Sequence, residues 1–135
     1  MEFLKWNKKY SVKIKEFDDQ HKVLVDIINK LYDAIEQNKG TDEIGKLIRR
    51  LRMYGAIHFA TEEHYFDLFQ YPETEEHKKI HKFFDDKMAD VEKNYRNQSK
   101  EAALEMMHFL SEWLINHIQG TDKKYVEFLK ERGLK

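Results

Sequence analysis

Ile57-His58-Phe59-Ala60-Thr61-Glu62-Glu63-His64 lies mid-chain, in a segment with the period of an amphipathic helix. At about 100° per residue, Ile44, Leu47, Ile48, Leu51, Tyr54, Tyr65 and Phe69 fall within a stripe about 120° wide. His58 and Glu62, one turn apart, fall inside the same stripe. Burying such side chains alone is costly. Either the face is misassigned or the interior holds something that binds them.

The rest of the chain repeats the pattern. Helices are expected over about 18–37, 42–69, 73–95 and 99–118, with a short helical segment over 122–131. Thr41 and Ser99 are N-cap candidates, and Tyr71-Pro72 and Gly120-Thr121 are interruptions. Residues 1–17 lack a helical period and read as an ordered arm. His21 shares a face with Phe17, Val25, Ile28, Tyr32 and Ile35. His77 and His81 share one with Phe84, Met88, Val91 and Tyr95. His117 shares one with Ala103, Met106, Leu110, Trp113 and Leu114. Glu63, His64 and His108 point away from the stripes and read as surface. Four helices of this length with short links predict an all-α, up-down-up-down antiparallel four-helix bundle in a single domain, 1–135.

Composition narrows the chemistry. The 135 residues carry 24 Lys and Arg against 25 Asp and Glu, so phosphate-driven binding to nucleic acid has no electrostatic support. The absence of cysteine excludes disulfides, thiolate metal sites and a thiol nucleophile. No apolar run approaches the roughly 18 residues of a membrane span, and the N-terminus lacks a signal-peptide core. The expectation is a cytoplasmic protein that binds neither membrane nor nucleic acid.

Five inward histidines and a glutamate in one small bundle call for a compensating cation. His58 and Glu62, and His77 and His81, are i,i+4 pairs able to grip one ion. His117 and Asp122 are i,i+5, about 140° apart on a straight helix, so Asp122 either needs the break or local widening that Gly120-Thr121 supplies or serves as the N-cap of the last helical segment. Imidazole and carboxylate without sulfur suit iron, manganese or zinc. Seven ligands exceed one tetrahedral zinc and suit two octahedral ions. Those ions have roughly twelve positions. Five histidines, two bridging carboxylates and a bridging oxygen leave one open.

This order of ligands resembles the hemerythrin family. The resemblance extends to Trp6, Tyr10-Ser11-Val12, Asp18-x-Gln20-His21-Lys22, His58-Phe59-x2-Glu62-Glu63, Tyr71-Pro72-x4-His77 and Trp113-Leu114-x2-His117-Ile118-x3-Asp122. It covers nearly the whole chain. One departure is Lys13, where the family often has glycine. The resemblance implies two iron ions. His77, His81 and His117 would hold one, His21 and His58 the other, with Glu62, Asp122 and an oxo or hydroxo group bridging. It also implies dioxygen binding at the open iron, with Trp113 and Leu114 lining the pocket.

The expected function is reversible dioxygen binding by a non-haem di-iron carrier or store, not an enzyme. The expected partners are dioxygen and a protein that receives it, and the expected state is a monomer or weak oligomer. The alternatives are an oxygen or redox sensor and a di-iron enzyme of oxygen, peroxide or nitric oxide. No attached module is visible in the sequence, which favours the carrier.

Overall fold

The computed structural model describes residues 3–134, with the backbone alone at 121–123. Its helices are α1 (Lys15–Glu36), α2 (Thr41–Phe69), α3 (Thr74–Asn94), α4 (Lys100–Asn116) and α5 (Lys123–Glu131), with a π-helical turn, His117–Asp122, between the last two. Short 3-10 turns occupy Lys8–Tyr10 and Tyr95–Asn97. The described residues contain no strand. α1 packs against α2 and α4, and α2 packs against α3, in a four-helix bundle. No described helix is long and apolar enough to cross a membrane.

Local chemistry sets the boundaries. α1 begins at Lys15, three residues before its apolar period becomes legible, because the arm docks on its first turn. Asp18 accepts the Ser11 hydroxyl at 2.5 Å and the Val12 N–H at 2.8 Å, while Ile14 and Phe17 are fully buried. Glu16 and Asp18 also suit the positive end of the helix. Thr41 is the first residue of α2 and Gly40 its cap. Gln70 ends α2 in the left-handed region, φ 56°, and the Tyr71 N–H returns to the Phe66 carbonyl at 2.9 Å. Ser99 caps α4, its hydroxyl accepting the Ala102 N–H at 3.1 Å.

The arm is held rather than loose. Asn29 on α1 accepts the Leu4 N–H at 2.6 Å and donates to the Leu4 carbonyl at 2.7 Å. Phe3 stacks on Tyr32 with ring centroids 4.0 Å apart. Lys13 sits at φ 58°, left-handed backbone that a side chain disfavours and glycine accepts. The glycine that the resemblance leads one to expect here would carry no such penalty.

The core runs the length of the bundle. Ile28, Leu31, Ile48, Leu51, Met88, Met107 and Leu110, about two turns or more along their helices from the nearest histidine ligand, fill the other end. There the Tyr95 side chain, from the 3-10 turn after α3, reaches over α2: a Cβ on Gly45 would collide with its hydroxyl. The π-helical turn widens the backbone where the sequence spacing called for it. A π-helical turn has more residues per turn than an α-helix, so it widens the backbone between positions 117 and 122. The side chain of Asp122 lies outside the described residues.

Candidate metal centre

Six of the seven expected ligands have described side chains, and all six are buried: His21 on α1, His58 and Glu62 on α2, His77 and His81 on α3, and His117 at the start of the π-helical turn. They form two groups that share Glu62. His21 Nε2 lies 2.8 Å from His58 Nε2, and His58 Nε2 lies 3.0 Å from Glu62 Oε1. In the second group, His81 Nε2 is 3.3 Å from Glu62 Oε1, and His77 Nε2 is 3.8 Å from Glu62 Oε2. Ligand atoms of Glu62, His77, His81 and His117 all fall within 4.8 Å of one another.

The hydrogen bonds behind these rings show what the cluster fits. His58 Nδ1 is 2.6 Å from the Gln20 amide oxygen. The Gln20 amide nitrogen donates to Thr61 Oγ1 at 3.1 Å, and the Thr61 hydroxyl donates to the Ile57 carbonyl at 2.9 Å. His81 Nδ1 is 2.9 Å from Glu63 Oε2. Both partners are acceptors, so both rings donate from Nδ1, and as neutral imidazoles, the form that ligates metal, they carry a lone pair on Nε2. Those lone pairs face Glu62 Oε1. Acceptors converging on an acceptor in a buried space require positive charge between them. Ligand atoms about 2.1 Å from an octahedral ion lie roughly 3 Å apart around it. The donor set and its spacing therefore fit metal ions.

Aromatic side chains wall the cluster. Phe59 stacks on His81 with centroids 4.0 Å apart and planes 9° apart. Trp113 stacks on His117 at 4.8 Å and on Phe84 at 4.4 Å. The edges of Phe66 and Tyr125 close on His77, and Phe17 stands edge-on to His58. Trp113, expected as a pocket residue, thus lies against the three-histidine group. Leu114 is buried in the core.

Residues 12–129 match the hemerythrin HHE cation binding domain. The chain belongs to the hemerythrin family. It is similar to bacteriohemerythrin from Pseudomonas aeruginosa, 33% identical over 130 residues, covering 96% of this chain and 84% of that protein. Bacteriohemerythrin from Methylococcus capsulatus is 34% identical over 108 residues, covering 80% of this chain and 82% of that protein. The crystal structure of a wild-type hemerythrin superposes with a TM-score of 0.83 at 30% identity, covering 94% of this chain and 98% of that one. Hemerythrins hold a non-haem di-iron centre, and the cluster here has the histidines and carboxylate to hold metal.

His64 and His108 are exposed, as their wheel positions imply. Glu63 corrects the sequence reading: it faces α3, not open solvent, and bonds His81. Its angle on α2 lies off the apolar stripe, and only the placement of α3 gives it a partner. Gln20 escaped notice as a partner of His58 for the same reason. Both stand in the motifs that carry the family resemblance, but no helical wheel assigns them a contact.

Proposed function

We propose that the chain binds dioxygen reversibly at a carboxylate-bridged di-iron centre, as a carrier or store. The observation that carries this reading is the unequal division of the imidazoles that share Glu62: His21 and His58 form a group of two, and His77, His81 and His117 a group of three. Six-coordinate ions there would leave a ligand position on the His21 and His58 side. His77, His81 and His117 would fill the other ion. Glu62 would bridge, and the widened turn supports Asp122 as the second bridge. Iron bound there supplies the redox-active ligation site for dioxygen.

The protein's own part is to orient and to keep dry. Gln20 and Glu63 fix the Nε2 lone pairs of His58 and His81 inward. Beside His58, the buried rings of Phe17 and Phe59 exclude water and protons, which promote irreversible oxidation. That surround supports binding over turnover and a carrier over an enzyme. We place the carrier in the cytoplasm, delivering to a protein recipient.

The test is iron per purified chain, followed by absorption spectra through cycles of deoxygenated and air-saturated buffer. Two irons and a band that comes and goes with air support the reading. No iron, or one metal per chain, refutes it. Rapid irreversible oxidation shifts the assignment to a sensor or an enzyme. His58→Ala should lose the iron beside His21; unchanged oxygen binding in that variant refutes the ligand assignment.

A further inference from the structure

The two donor groups are braced by different chemistry. His58 donates to the neutral amide of Gln20, and His81 donates to the carboxylate of Glu63. We propose that Glu63 is a positioning residue that, through His81, makes the three-histidine side of the centre the more readily oxidised one. The proposal rests on the di-iron reading above. A carboxylate that accepts a ligand's distal N–H draws the proton outward and makes the imidazole a stronger donor, which favours the higher-charged metal ion. A neutral amide fixes the ring without adding that charge. Gln20 and Glu63 therefore do the same steric work with different electronic results.

The surroundings strengthen the Glu63 contact. His81 is only 3% exposed and the Glu63 side chain 29%, so the bond is partly shielded from water. Phe59, stacked on the His81 ring, holds its plane. The nearby cation is engaged elsewhere. The Lys78 ammonium is held above its ordinary pKa chiefly by its hydrogen bond to Asp67; burial opposes this, and the charges of Asp67, Glu75 and Glu63 add to it. Glu63 also lines a surface groove between α2 and α3 with Ala60, Lys82 and Asp85. Asp85 provides a control there: it is a carboxylate of the same groove, paired with Arg52 at 3.1 Å.

The experiment is a spectroelectrochemical titration of the iron-loaded full chain, comparing wild type, Glu63→Gln, Asp85→Asn and Gln20→Glu. Glu63→Gln keeps the steric bond and removes the charge. It should retain two irons and raise a reduction midpoint by about 59 mV or more, a tenfold loss of ferric over ferrous preference. Asp85→Asn removes the same charge without touching an imidazole and should shift far less. Gln20→Glu should lower a midpoint. A Glu63→Gln midpoint equal to wild type, or equal to that of Asp85→Asn, overturns the proposal and leaves the di-iron reading standing. A wild-type chain that takes up no iron overturns both.

Discussion

The two ends of the bundle are made from the same helices with the same apolar period, yet their interiors are opposites. At one end the inward positions carry His21, His58, Glu62, His77, His81 and His117. About three turns away, the equivalent stripes carry Leu31, Ile48, Met88 and Met107, all fully buried. The far end is stabilised by close apolar packing of these fully buried side chains. The histidine end is held in place by that packing but gathers acceptors around a carboxylate. A core with this division should fold on one end and acquire function, with further stability, at the other.

The largest effect should come from metal removal. Binding at a thousand times Kd adds about 4 kcal/mol to stability. Chelation should therefore lower the melting midpoint substantially while circular dichroism still shows a helical fold below it. A stripped chain without helical signal would erase the distinction between the ends. Next, Leu31→Ala should cost about 3 kcal/mol by leaving a cavity in the apolar end. Measured in urea, that cost should be alike in loaded and stripped protein; a cost confined to the loaded form would couple the two ends.

Glu62→Leu probes the opposite sign. It should abolish iron loading yet leave the stripped chain equally stable or more stable, by about 1–3 kcal/mol, because the buried carboxylate goes. A stripped variant less stable than its parent would show that Glu62 supports the metal-free fold. Lys13→Gly should stabilise by about 0.5–1 kcal/mol, relieving left-handed backbone in the arm without altering iron content. Smallest of all, His64→Ala and His108→Ala should each change stability by under about 0.5 kcal/mol and keep two irons. Iron loss in either would break the division between inward and outward histidines.

The sequence by itself determined the four helices, the inward face of each, and which histidines share it. Position along a helix fixes a residue's angle, and angle relative to the apolar stripe fixes burial. His58 and His64 are told apart in this way without any knowledge of neighbours. The need for a widened backbone between His117 and Asp122 was legible for the same reason, since an i,i+5 spacing does not close on a straight helix. Tertiary structure decided the rest. Glu63 becomes the partner of His81 only because α3 packs beside that flank of α2, and Gln20 reaches His58 only across the contact between α1 and α2. The start of α1 likewise depends on the arm folding back onto Asp18. Periodicity is a property of one helix, whereas a hydrogen bond between helices depends on how two of them are rotated and placed. That is why the inward face could be read from the chain and the asymmetric bracing around it could not.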